Sequence, residues 1–266
     1  MQNQDPLIVT EVRGSTLIAK INRPDKRNAV DGPTAKALRG AFADFDQNEE
    51  LKVAVLTGAS GNFCAGADLK AVASGENTNE IEETGTGPGP MGPTRMLLSK
   101  PVIAAVEGYA VAGGLELALW CDLRVAAETA TFGVFCRRWG VPLIDGGTVR
   151  LPRIVGQGRA LDMILTGRPV NAKEAFDMGL ANRIVPSGHA LDASIKLAEE
   201  IASFPELCMR ADRLSAYQQF DHQLSSALVH EGRAAFHVVS AEARNGASKF
   251  ALGEGRHCAF DHKDDD

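Results

Sequence analysis

Gly108-Tyr109-Ala110-Val111-Ala112-Gly113-Gly114-Leu115-Glu116-Leu117-Ala118-Leu119-Trp120-Cys121-Asp122 comes just after an apolar run, Pro101-Val102-Ile103-Ala104-Ala105-Val106. The run reads as a buried strand, the glycines as a turn, and the segment from Leu115 as an apolar helix. A strand, a glycine turn and a helix start together present free backbone N–H groups at the positive end of a helix dipole. Glu116 stands about one helical turn inside. Amide donors for a developing negative charge beside a proton carrier point to chemistry on a carbonyl compound. Glycines after strands are also ordinary turn residues, and the dipole alone favours a Glu in a first turn. One such segment decides little.

A second segment repeats the pattern. Leu51-Lys52-Val53-Ala54-Val55-Leu56-Thr57-Gly58 reads as a strand, and Asn62-Phe63-Cys64-Ala65-Gly66-Ala67-Asp68-Leu69-Lys70 as a small-residue turn entering a helix. Asp68 suits the helix start as a cap or through the dipole. Ala65, Gly66 and Ala67 are small enough for a ligand to approach the backbone. Two such turns facing one another would direct two N–H groups at one oxygen, and losing one donor of such a pair costs about 3–4 kcal/mol of transition-state stabilisation.

These segments resemble the crotonase superfamily of acyl-coenzyme A enzymes, which includes the enoyl-CoA hydratases and isomerases. The resemblance begins at Ile21-Asn22-Arg23-Pro24-Asp25-Lys26-Arg27-Asn28-Ala29 and runs through Ala65–Leu69, Gly113–Asp122 and Phe132-Gly133. It continues in Gly146-Gly147-Thr148, Leu165-Thr166-Gly167 and Ala175–Leu180, so ordered motifs span nearly the whole chain. The resemblance implies an α/β fold, a crotonase-type spiral of repeated ββα units, with a helical C-terminal region. It implies an acyl-CoA site in a core of residues 1–189, and helices over 190–266 that build a homotrimer or homohexamer. Ala67 and Gly113 would supply the oxyanion-hole N–H groups. Ala65, Gly66, Asp68, Leu69 and Lys70, with Gly114, would line the acyl-CoA pocket, and Lys26, Asn28 and Ala29 would lie near the nucleotide. Coenzyme A would enter as part of the substrate, with no tightly bound cofactor.

In a hydratase of this family two glutamates handle the water and the α-carbon proton. Glu116 falls on the first position and Cys136 on the second, which is a departure at the chemistry itself. A thiol with a reference pKa of about 8.5 accepts a proton poorly at neutral pH unless nearby positive charge lowers it. Arg137 and Arg138 adjoin Cys136, so a reactive thiolate and a buried small hydrophobe are both open, packing being preferred. Asp145 is the next acid along the chain, read either as a proton carrier or, preferably, as the cap of a helix starting at Gly146 or Gly147. Trp139 and Tyr109 read as acyl-pocket walls or as simple packing.

Reversible hydration of a 2-enoyl-CoA is the default activity that the resemblance implies. Isomerisation, decarboxylation or thioester hydrolysis on the same fold, with Asp145 or Cys136 taking part, is the competing reading. A non-catalytic acyl-CoA-binding protein is the third.

The remaining sequence agrees with an enzyme of cytoplasmic metabolism. A net charge of -6 with no basic block argues against nonspecific nucleic-acid binding. Cys64, Cys121, Cys136, Cys208 and Cys258 form no CxxC pair and read as reduced thiols. The opening residues lack the basic and apolar pattern of a signal peptide, and no run of about 20 apolar residues suggests a membrane span. His222, His230 and His237 are spaced about two turns apart, too far for one helix to present a compact metal site, so no metal is expected.

Strands are expected at Leu7–Val12, Thr16–Ile21, Val53–Thr57, Val102–Val106 and Leu123–Ala126, and a helix over Thr34–Asp46. Gly75–Pro93 reads as a mobile loop bordering the acyl pocket, and Asp192–Ser203 and Pro205–Ala243 as long helices. The tail residues Arg256, His257 and Lys263 read as a charged, frayed end rather than as contacts for CoA phosphates.

Overall fold

The computed structural model describes residues 5–253, in two compact units divided between Ala202 and Ser203. The tail cations and Cys258 lie outside the described residues. In the first unit, β1 (Ile8–Arg13) and β2 (Thr16–Ile21) form an antiparallel hairpin closed at Gly14, whose φ of +55° is the reason a glycine stands there. The sheet then continues in parallel through β3 (Val53–Gly58), β4 (Val102–Val106), β6 (Leu123–Ala127) and β9 (Arg183–Val185). A second sheet of three short strands holds β5 (Tyr109–Val111), β7 (Thr131–Gly133) and β8 (Val170–Asn171).

The parallel strands are apolar throughout because both their faces are covered. Side chains alternate between the faces: Ala54, Leu56, Val102, Ala104 and Val106 enter one core, and Val53, Val55, Ile103 and Ala105 the other. Each turn of the spiral is a long strand, a short strand and a helix. β4 and β5 lead into α3 (Gly113–Trp120), and β6 and β7 lead into α4 (Gly147–Val155). In the turn that starts at β3, Cys64 bridges Ala110 where a short strand would stand, before α2 (Leu69–Ser74). The α/β spiral read from the sequence is the fold observed.

Between β2 and β3, α1 (Gly32–Gln47) is started by Asp31, whose carboxylate accepts the Thr34 N–H and hydroxyl. It buries Leu38, Phe42 and Phe45 against the first core. After α4 come α5 (Gln157–Thr166) and α6 (Ala172–Asp177). α7 (Ala190–Ser203) lays Ala190, Leu197 and Ala198 on the second face of the main sheet. This helix therefore packs with the core, although the sequence reading groups it with the C-terminal region beginning at 190.

The second unit holds α8 (Glu206–Gln218) and α9 (Leu224–Val238), the latter running through a π-turn at Val239–Ala243 into α10 (Arg244–Leu252). The expected continuous piece Pro205–Ala243 is thus broken after Gln218, at a stretch with no Gly or Pro to mark it. The Glu242 carboxylate accepts the Leu207 and Cys208 N–H groups at 3.0 and 2.8 Å, satisfying orphan donors at the start of α8. His222 falls in the break, and its ring lies 5.2 Å from that of His230. Among the described residues no helix is long and apolar enough to cross a membrane.

Candidate active site

The two small-residue turns face one another. Cys64 donates to the Tyr109 carbonyl at 2.8 Å and accepts from Val111 at 3.1 Å, tying the segments together. Gly66 has φ +97°, and a Cβ there would stand 2.8 Å from Ala112 Cβ and 3.0 Å from the Gly113 nitrogen. Only a glycine permits that approach. The bridge to Val30 uses the Gly66 carbonyl and the Asp68 N–H, leaving the Ala67 N–H unused. Gly113 opens α3 and has no intrahelical acceptor. Among the described residues neither N–H meets a protein acceptor. Ala112 is held at φ +54°, a conformation costing about 1–3 kcal/mol in a non-glycine residue, with its N–H on the Gly133 carbonyl at 2.8 Å.

Both turns open onto a cavity of about 850 Å³. Of the residues singled out from sequence, Ala65, Ala67, Leu69, Gly113, Glu116, Cys136, Trp139, Asp145 and Tyr109 line it. Lys26, Asn28, Ala29, Gly66, Asp68, Lys70 and Gly114 do not; most of them build the frame around the turns. Asn28 is fully buried, accepting the Arg23 N–H and donating to the Ala59 and Asn62 carbonyls. The Ala29 carbonyl accepts from the Arg23 guanidinium. Asp68 caps α2 by accepting the Lys70 N–H, and its other oxygen pairs with Lys26 at 2.8 Å and Arg23 at 3.0 Å. Burial works against ionisation of Asp68, but those two cations outweigh it and hold the carboxyl down at about 2. Arg23 also pairs with Asp31 at 2.7 Å, so one guanidinium joins the start of α1 to the residue after Ala67. Gly114 sits where a Cβ would meet the Cys64 carbonyl at 2.1 Å.

Glu116 is 2% exposed, in the first turn of α3. Its Oε1 accepts the Asp145 N–H at 2.9 Å and the Gly147 N–H at 2.8 Å. Those N–H groups lower its pKa, but burial and the neighbouring Asp145 charge prevail and lift it to about 7. A Cβ at Gly147 would press on Glu116 Oε1 at 2.8 Å, so this glycine serves the carboxyl directly.

Asp145 is not a helix cap. The residue preceding α4 is Gly146, and no side chain caps the helix. The Asp145 side chain turns away, its Oδ1 accepting the Met91 N–H at 2.9 Å and the Thr94 hydroxyl. Burial raises its pKa, with the Thr94 and Met91 donors opposing. Arg150 braces this corner, donating to the Asp145 carbonyl at 3.0 Å and the Thr94 carbonyl at 2.7 Å. Met91 and Thr94 have no local sequence signal, because they reach Asp145 from 54 and 51 positions away, and Arg150 reaches the Thr94 carbonyl from 56 positions away. The tail of the loop expected to be mobile is thus pinned to the site.

Cys136 lies in a 3₁₀ turn, Phe135–Trp139. Burial and then the Glu116 charge raise its pKa. Arg137 opposes that rise without prevailing; its guanidinium donates to the Ile164 carbonyl, and Arg138 donates to the Gly167 carbonyl and stacks 4.2 Å over the Phe135 ring.

The family model for enoyl-CoA hydratase/isomerase matches residues 11–263. The chain belongs to the enoyl-CoA hydratase/isomerase family. Among relatives of this family, enoyl-CoA hydratase EchA19 of Mycobacterium tuberculosis is 38% identical over 213 residues, covering 77% of this chain and 78% of that protein. Carnitinyl-CoA dehydratase of Proteus mirabilis is 40% identical over 201 residues, 75% and 76% of the two chains. The crystal structure of enoyl-CoA hydratase EchA1 from Mycobacterium marinum superposes with a TM-score of 0.87 at 38% identity, over 93% of this chain and 96% of that one. An enoyl-CoA hydratase from Bacillus anthracis gives 0.83 at 31% identity, over 93% and 96%. As a member of the enoyl-CoA hydratase/isomerase family, the chain is an acyl-CoA-transforming enzyme of the hydratase type.

Proposed function

We propose that this enzyme reversibly hydrates a 2-enoyl-CoA, with Glu116 and Asp145 as its proton-moving pair and Cys136 as packing. The observation that carries the reading is the Glu116 carboxyl: buried at the cavity, pinned through one oxygen and lifted to about 7, beside two unengaged N–H groups. The thioester oxygen is received by the Ala67 and Gly113 N–H groups, which stabilise the enolate that forms. Burial and the Asp145 charge lift Glu116 to about 7 and burial raises Asp145, so the reading has one carboxyl of the pair protonated and the other ionised. The ionised member takes a proton from water as its oxygen bonds to the β-carbon, and the protonated member delivers a proton to the α-carbon. Dehydration is the reverse. Asp145 thereby stands in for the carboxyl that Cys136 lacks, and the raised thiol pKa argues against a thiolate.

Relatives named for hydration and for dehydration support water addition or removal as the reaction class. The same carboxyl pair also suits migration of a double bond, and the Asp145 placement is what favours that second reading. Incubating a panel of 2-enoyl-CoA thioesters and analysing products by mass spectrometry separates the two. Addition of water supports hydration, an isobaric product supports isomerisation, and an unchanged panel overturns both. Coenzyme A enters as part of the substrate and no tightly bound cofactor is needed. Assembly into a homotrimer or homohexamer, and a place in cytoplasmic fatty-acid metabolism, are part of the proposal. The exposed Leu224, Leu228, Val229 and Phe236 on α9 support the assembly.

A further inference from the structure

The two turns of the site meet at a single methyl group. Ala112 stands at φ +54° and ψ −126°, outside the left-handed helical region and in a corner of the backbone map that turns ordinarily give to glycine. Of the five non-glycine residues that the described chain holds at positive φ, Arg27, Asn28, Ser60 and Asn77 have polar side chains and Ala112 does not. No side-chain hydrogen bond can offset the strain at Ala112. A glycine would sit there freely, and all that alanine adds is its methyl.

That methyl has a defined neighbour. The atom nearest to where a Cβ on Gly66 would stand is Ala112 Cβ, at 2.8 Å, so the methyl packs against the bare face of Gly66. The contact joins the two residues that come immediately before the cavity's unengaged donors. The Gly66–Ala67 peptide carries the Ala67 N–H, and the Ala112–Gly113 peptide carries the Gly113 N–H. Peptide planes are rigid, so each N–H is aimed by the torsions of the residue before it. At Ala112 those torsions are held from both sides: its N–H donates to the Gly133 carbonyl at 2.8 Å, and its carbonyl accepts the Glu116 N–H at 3.2 Å. In a trans peptide the carbonyl and the following N–H point opposite ways. The bond that draws the Ala112 carbonyl into α3 therefore turns the Gly113 N–H out of the helix.

We infer that Ala112 is a positioning residue of the oxyanion hole: its methyl, wedged against Gly66, sets the spacing of the Ala67 and Gly113 N–H groups and fixes the torsion that aims the second. This rests on the reading that those two N–H groups receive a thioester oxygen. Glycine at this position would relieve the backbone and remove the wedge together.

The test is Ala112→Gly in the full-length protein. With the 2-enoyl-CoA that the natural protein turns over fastest, kcat should fall about 10- to 100-fold, the scale of a misplacement of about 1 Å. The Kd for free coenzyme A should stay within about twofold. The urea midpoint of unfolding should hold level or rise, because the strain leaves with the methyl. The direct readout is the infrared carbonyl stretch of the saturated counterpart of that thioester, labelled with carbon-13 at the carbonyl. Binding to the natural protein should move the stretch to lower wavenumber than in water, and Ala112→Gly should lose most of that shift. The inference is overturned if kcat and the shift survive in Ala112→Gly. It is equally overturned if the midpoint falls along with kcat, or if the variant does not fold, since the methyl would then be ordinary packing. A natural protein that turns the thioester over without shifting its carbonyl sinks the oxyanion reading as well, and turnover of no thioester sinks both. A natural shift that persists in the variant sinks this inference alone.

Discussion

Replacing Glu116 by Gln is expected to remove most of the turnover and, at alkaline pH, to make the protein more stable. The Glu116 carboxyl is raised from an ordinary 4.5 to about 7 by burial and by Asp145. At about 1.4 kcal/mol per pH unit, holding the ionised form in the folded state costs at most about 3.5 kcal/mol. The sign follows from proton counts. Between pH 4.5 and about 7 the folded protein keeps a proton on Glu116 that the unfolded chain has released, so stability falls across that window and is level above it. Gln carries no charge and keeps an oxygen for the Asp145 and Gly147 N–H groups, so the variant lacks this fall. Urea unfolding of both proteins at pH 4.5 and pH 8.5 should give similar stabilities at the lower pH and a variant about 1–3 kcal/mol more stable at the higher. Hydration should drop about 10²–10⁴-fold, the usual worth of a general acid–base group. Equal dependence on pH in the two proteins would refute the electrostatic reasoning. Retention of most activity would refute the catalytic role.

Two further substitutions probe the frame. Gly66→Ala places a Cβ 2.8 Å from Ala112 Cβ at a φ of +97°, forcing the two oxyanion turns apart. Turnover should fall about 10²–10³-fold with circular dichroism and coenzyme A binding retained, as expected for a damaged oxyanion hole. Thr94→Val removes a donor that lowers the Asp145 pKa, so the limb of the pH–rate profile set by Asp145 should move to higher pH, and Thr94→Ser should restore it. An unmoved limb in the Val variant would detach Thr94 from the chemistry.

Local pattern carried the parts of the molecule that depend on near neighbours. The unbroken apolar run Val53-Ala54-Val55-Leu56 is enough for a strand, and the glycine turn before Leu115 is enough to place Glu116 at a helix start. Strands of two or three residues, such as β7 and β8, are too short to show alternation and exist only because a neighbour pairs with them. Asp145 shows the limit most sharply. Beside Gly146 and Gly147 it looks like a helix cap, yet its carboxyl is drawn off by Met91 and Thr94, residues 54 and 51 positions away. No local rule contains that contact.

The central claim is that a pair of carboxyls, and not the thiol, moves the protons. Its most direct test follows hydration of a 2-enoyl-CoA turned over by the natural protein, in deuterium oxide, reading both the rate and deuterium at the α-carbon, with Asp145→Asn and Cys136→Ala beside it. The account predicts turnover and α-deuteration within a few-fold of natural for Cys136→Ala, and a loss of about 10²-fold or more for Asp145→Asn. Collapse of the Cys136 variant with Asp145→Asn left active would contradict it.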